Sequence, residues 1–149
     1  MIGKRLVALS LGLILAGCAS GYLIAKPPAV PDPAQAATVV IARPTHFVGA
    51  AVTTTIRIDD VELYELGTGE HVSIAVTPGE HFVSLKTWDP AMPFPVRIYP
   101  TETIQAEPGR TYYFRVTPGR ISRASDAEGR ALVADTTPVS NEPRPEPTR

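Results

Sequence analysis

The chain has 149 residues, of which 15 are acidic and 14 basic, so it lacks the cationic excess needed to neutralise nucleic-acid phosphates. Its single cysteine excludes intramolecular disulfides, thiolate metal clusters and redox cysteine pairs. With 16 prolines and 11 glycines, about 18% of the chain against an average of roughly 12%, part of the length is expected to be linker rather than fold.

Residues 1–17 carry Lys4 and Arg5, an apolar run over residues 6–16, and Gly17 ahead of Cys18. This is the charged, apolar, small-residue order of a secretory signal peptide. As a helix rising about 1.5 Å per residue, the run reaches only ~17 Å, well short of a hydrocarbon core of ~30 Å. The segment is expected to be read once and removed.

Leu15-Ala16-Gly17-Cys18 resembles the lipobox of bacterial lipoproteins. The resemblance implies a diacylglyceryl group on the Cys18 thiol, cleavage just before Cys18, and acylation (palmitate or similar) of the new amine. Two or three acyl chains, at ~0.8 kcal/mol per buried methylene, exceed what stable membrane anchoring requires. In many gram-negative lipoproteins an Asp after the modified cysteine marks retention in the inner membrane. Ala19 and Ser20 stand here, which by the same resemblance implies the periplasmic face of the outer membrane, with inner membrane or cell surface as alternatives.

Residues 18–37 form an expected tether. Pro27, Pro28, Pro31 and Pro33 block both helix and ladder and favour an extended polyproline conformation, which at ~3.1 Å per residue could reach ~60 Å. Residues 136–149 have a similar composition, with Pro138, Pro143, Pro145 and Pro147 among polar side chains, and are expected to be disordered. Residues 38–135 remain as one folding unit, large enough to close its own core.

The dominant hydrophobic period within that unit is two. Ile56 and Ile58 flank Arg57; Val72, Ile74 and Val76 alternate with Ser73 and Ala75; Val83 and Leu85 flank Ser84; Tyr112, Phe114 and Val116 alternate with Tyr113 and Arg115. Residues 38–43 are more continuously apolar, as expected of a strand covered on both sides or lying mid-sheet. Residues 61–66 and 95–106 supply two more strands, the latter bent or at an edge because of Pro100. Pro78-Gly79, Pro108-Gly109 and Pro118-Gly119 are type II turn signals, and Asp59-Asp60 and residues 66–69 mark further reversals. The spacing predicts an all-β fold: a single antiparallel β-sandwich of about seven strands, immunoglobulin-like. A symmetric hairpin about Pro78-Gly79 would pair Val76 with His81, Ile74 with Val83 and Val72 with Leu85, placing the apolar residues on one face and leaving Phe82 on the polar side. Residues 121–135 read as either a hairpin or a short helix.

Residues 76–83, Val-Thr-Pro-Gly-Glu-His-Phe-Val, resemble the turn of PEGA-like domains and of a family of small, uncharacterised bacterial lipoproteins that carry such a fold. The first strand of that family is similar to residues 39–43, a middle hairpin to residues 56–61 and a late strand to residues 109–114. The resemblance covers about 80 residues, roughly 38–117. It implies a β-sandwich and no catalytic residues.

Candidate chemistry is sparse. Ser73, Ser84, Ser122 or Ser125 could pair with His46, His71 or His81, but no serine sits in a Gly-x-Ser-x-Gly elbow. The three histidines lack metal-ligand spacing, and Asp59-Asp60 reads as a turn rather than a calcium loop. No metal or other cofactor is expected. Residues 88–95, Trp-Asp-Pro-Ala-Met-Pro-Phe-Pro, place Trp88, Met92 and Phe94 on a proline-stiffened loop. Such a loop is either a plug folded over an open end of the sandwich, the favoured reading, or an apolar binding surface. Arg110, Arg115, Arg120, Arg123 and Arg130, interleaved with carboxylates, read as a mixed-charge face, with an anionic glycan or lipid headgroup surface as the alternative. The reading as a whole is a non-enzymatic, lipid-anchored envelope protein presenting a sandwich for binding or scaffolding in the periplasm. The competing class is a carbohydrate- or cell-wall-binding module using Trp88 and Phe94. The expected partners are the membrane, through Cys18, and an envelope protein or glycan, with no nucleic acid.

Overall fold

A computed structural model describes residues 20–143. The signal segment and Cys18 lie outside the described residues. The chain forms β1 (Tyr22–Leu23), β2 (Ala37–Arg43), β3 (Thr54–Ile58), β4 (Val61–Leu66), β5 (Glu70–Val76), β6 (Gly79–Trp88), β7 (Arg97–Ile98), β8 (Thr101–Ala106), β9 (Thr111–Thr117), β10 (Arg120–Ala124), α1 (Asp126–Ala134) and β11 (Thr137–Pro138). Two sheets pack face to face. One has the order β1-β4-β3-β6, with β7 and β8 both pairing β6; the other has the order β10-β9-β2-β5-β11.

The all-β sandwich expected from the alternation is the fold. The described residues form eleven strands, three of them two residues long, against the expected seven. Two of its pairings, β2 with β9 and β5 with β11, are parallel rather than antiparallel. Ile56, Leu63, Val83, Leu85 and Ile104 from one sheet meet Val39, Ile41, Ile74 and Phe114 from the other in one buried cluster. Strand β2 is central in its sheet, and Val40 and Ala42 on its outer side are also buried, where α1 lies over β2 and β9. That double cover accounts for its unbroken apolar run. The strand carrying Pro100 divides there into β7 and β8 along the edge of the first sheet.

The symmetric hairpin about Pro78-Gly79 is not formed. Strand β5 pairs β2 in one sheet, while β6 pairs β3 and β8 in the other, so the turn carries the chain across the sandwich. Gly79, at φ 123°, supplies a conformation that a side chain would resist. Parity is nonetheless as expected, because Val72, Ile74, Val76, Val83 and Leu85 are all buried and Phe82 is exposed. Period-two alternation fixes which side chains point inward but not whether two runs share a sheet or face each other across the core. Pro108-Gly109 is a second crossover, closed by the Tyr112 hydroxyl, which donates to the Gln105 carbonyl at 2.8 Å and accepts from the Glu107 N–H at 3.0 Å. Pro118-Gly119 does join a hairpin, β9 to β10. So does Asp59-Asp60, joining β3 to β4 with both residues at positive φ (49° and 66°).

The described parts of both flanking segments, residues 20–37 and 136–143, make contacts with the sandwich. Within the expected tether, β1 pairs antiparallel with β4, the N–H of Ile24 donates to the Leu63 carbonyl at 2.8 Å, and Pro28 and Val30 line a cleft together with Ile58 and Leu63. Within the tail expected to be disordered, β11 adds a parallel strand to β5, Val139 joins the core cluster, and Asn141 accepts from the Tyr64 hydroxyl at 2.9 Å. Proline composition argued against ladders, yet these strands run only two residues at sheet edges, where a missing N–H is tolerated. Residues 121–135 divide between β10 and α1, whose N-terminus is fixed by a reciprocal Ser125–Glu128 capping box.

Candidate functional site

One end of the sandwich gathers the ends of β2, β4 and β6, the starts of β3, β5 and β7, and the β9–β10 turn. Arg43, the last residue of β2, organises it. Its buried guanidinium donates to the carbonyls of Val52 (2.7 Å), Leu66 (3.0 Å) and Gly49 (2.7 Å), pinning the loop of residues 44–53 onto the end of β4. Burial pulls the guanidinium below its ordinary pKa, an effect that the charge of Glu70 opposes. The Glu70 carboxylate in turn accepts from the N–H groups of Gly21 (2.8 Å) and Gly67 (2.7 Å), so the same network fixes where the chain enters the fold.

Loops held this firmly at their base present apolar side chains at their tips. Phe47 is 96% exposed, and Val48 and Val52 beside it are also exposed. The loop of residues 89–96 is closed by the Asp89 N–H donating to the Val96 carbonyl at 2.8 Å, and Pro90 packs against Gly119 so closely that a side chain there would collide with it. From this loop Phe94 stands 61% exposed and Met92 is also exposed, while Trp88 at its base is 45% exposed with the Arg97 guanidinium 4.7 Å over its ring. The plug favoured on sequence grounds is therefore not what forms. Pro90 and the foot of the loop make the packing contacts, and the three large side chains remain at the surface. Exposed apolar residues clustered at one end of a small domain mark an interaction surface.

Trp88, Met92 and Phe94 are exposed on and at the base of one loop, and Val48 and Val52, which sequence reasoning missed along with Phe47, line a cleft with Trp88. The signal was present as an apolar Phe-Val pair between prolines and glycines, outside any alternating run. Cys18 is outside the described residues. The histidines are dispersed. Nδ1 of His46 accepts from the Val48 N–H (3.2 Å), and Nδ1 of His71 lies 2.9 Å from the Thr136 hydroxyl. At the opposite end of the sandwich, His81 faces the Asp59 carboxylate through Nδ1 and the Thr77 carbonyl through Nε2, each at 2.7 Å. Beside His81 a cleft of about 140 Å³ is lined by Pro28, Val30, Ile58, Leu63 and Val76. Among the described residues no group of three or more His, Cys, Asp or Glu side chains is placed to hold a metal ion. The late arginines do not form one patch: Arg110 and Arg123 lie over the Tyr112 ring, whereas Arg120 is at the other end of its hairpin.

No family model, curated protein or solved structure matches the chain.

Proposed function

We propose that the chain is a lipid-anchored, non-catalytic envelope protein, acylated at Cys18, which presents its β-sandwich for binding or scaffolding at the periplasmic face of the outer membrane. The observation that carries this reading is Leu15-Ala16-Gly17-Cys18, in which the chain's sole cysteine directly follows a charged and then apolar segment. The engaged histidines favour a binding role over a catalytic one. His71 and His81 are each committed to structural partners, and neither ring nitrogen of His81 is left for a nucleophile. Mass spectrometry of the native protein tests the reading. Acylated Cys18 at the mature N-terminus is expected, with Cys18→Ser releasing the domain or leaving the signal uncut. An unmodified mature protein that begins elsewhere overturns it.

A second reading, a cell-wall carbohydrate-binding module, is favoured by the exposure of Trp88 and Phe94. It requires a free aromatic face for sugar stacking, and Arg97 already occupies one face of the indole. Glycan fragments that quench Trp88 fluorescence, with the effect lost in Trp88→Ala, would support it.

A further inference from the structure

We infer that the Phe47, Trp88 and Phe94 end of the sandwich rests on the bilayer surface to which Cys18 is anchored, so that the domain lies against the membrane in a fixed orientation rather than swinging on a leash. This rests on the acylation of Cys18 proposed above. Among the described residues, contacts with the sandwich begin at Gly21, whose N–H is bonded to Glu70 and where a Cβ would collide with the Glu65 carbonyl and crowd Val139. Only Ala19 and Ser20 separate it from Cys18, and the three residue steps reach about 10 Å at full extension. The proline-rich segment expected to act as a spacer lies beyond that point, packed along the sandwich, and contributes no reach.

The direction of entry decides which end meets the lipid. Strand β1 runs antiparallel to β4, with Tyr22 opposite Glu65, so Gly21 stands level with the end of β4 at Leu66. That is the end at which Arg43 ties Leu66 to the Phe47 loop. In the order β1-β4-β3-β6, Trp88 at the end of β6 stands three strand spacings from β1, about 14 Å along the same edge of the sandwich. Acyl chains within about 10 Å of Gly21 therefore bring this end to the headgroup region.

The side chains found there suit that environment. Phe47, Val48, Met92 and Phe94 are apolar and exposed. Trp88 presents an amphipathic ring of the kind enriched at membrane–water interfaces. Arg97, stacked on that ring, forms no ion pair among the described residues and carries a cation suited to a phospholipid phosphate. Three carboxylates at this end are already engaged within the fold, Glu70 by two backbone N–H groups, Glu65 by the Thr55 hydroxyl at 2.7 Å, and Asp89 by the Ala91 N–H at 2.9 Å, while Asp135 beside the β4–β5 turn is exposed. The cleft beside His81 then faces away from the membrane, toward whatever the domain binds.

Trp88 is the only tryptophan in the chain, so the native protein carries its own depth probe. The test uses the full lipidated protein reconstituted into vesicles of phosphatidylethanolamine and phosphatidylglycerol, with and without phospholipids brominated near the headgroup. The expected result is a blue shift of Trp88 emission, quenching by the brominated lipid and protection from aqueous acrylamide. Phe47→Ser combined with Phe94→Ser, both at exposed positions, should abolish most of the lipid quenching while flotation with the vesicles is unchanged. Protein that floats with acylated Cys18 but shows no lipid quenching overturns the docking and leaves the anchor standing. Protein that neither floats nor carries acyl chains overturns both. Quenching that survives in the double variant, or vesicle-bound Trp88 that glycan fragments quench as readily as they do in detergent, also overturns the docking.

Discussion

The Thr136 hydroxyl donates to the Leu132 carbonyl at 2.6 Å and so meets His71 as an acceptor, which places a proton on Nδ1 of a buried imidazole 2.9 Å away. One hydroxyl thereby joins the C-terminal end of α1 to the start of β5. Burial lowers the His71 pKa, partly offset by a hydrogen bond with the Thr136 backbone. The folded state therefore binds a proton at this site less readily than the unfolded chain. The stabilisation is fully present above the unfolded value of about 6.5 and is lost as pH falls below it toward the folded value. Urea midpoints measured from pH 7.5 down to pH 5 should fall, and His71→Gln should flatten that slope.

Gly129 faces the Tyr113 ring on the outer side of the second sheet, where any Cβ would overlap the ring carbons. Gly129→Val should force α1 away from β9 and uncover Val40 and Ala42, at a cost of about 2–4 kcal/mol. Chemical denaturation and protease susceptibility near Ala134 report the change. A second variant, Gly129→Ala with Tyr113→Ala, should recover part of the loss if the ring contact is its cause.

Arg43 satisfies three carbonyls from a buried position. Arg43→Met fills similar volume but leaves those acceptors unpartnered, and we expect a loss of about 2–4 kcal/mol in stability. Amide exchange should quicken over residues 44–53, while Thr111–Thr117 keeps its protection. Equal acceleration across both regions would show that Arg43 acts on the whole fold rather than on its loop.

Val139 belongs to the core cluster, and its N–H donates to the His71 carbonyl at 2.9 Å. Ending the chain after Asp135 removes β11, Val139 and the Tyr64 partner Asn141 together, which should cost about 2–3 kcal/mol. The denaturation midpoint of the truncated chain against the full one measures this. No change would mean that the segment merely rests on the sheet.

The sequence carried strand parity and reversal points well, because both depend on side chains adjacent in the chain. Val61–Leu66 matches its expected strand, and Pro100 breaks an edge strand where expected. It did not carry partnership between strands, since Val72, Ile74 and Val76 need only an apolar layer opposite them, whichever strand provides it. The docked ends were hidden for a related reason. Val139 is a single apolar residue among polar and proline neighbours and Leu23 belongs to an apolar run of only four residues, 22–25, and the packing of both depends on the gap left beside β4 and β5. At the candidate site, Trp88, Met92 and Phe94 stood out by residue type. The Phe47 loop became visible only once Arg43 was seen to hold it beside them.

The parallel pairing of β2 with β9 has a kinetic consequence. Thr38 cannot find Thr111 until the chain between them has crossed from sheet to sheet four times, and Gly21 cannot settle against Val139 until nearly all of the described chain is present. A topology with so many distant partners has a high contact order, for which folding times on the order of milliseconds to seconds are expected. For a chain delivered amino end first, the strands made early would wait with open edges for those made last. The edge of β5 that waits for Thr137 and Pro138 opens on Glu70 and His71, polar residues that discourage pairing between neighbouring molecules during the wait.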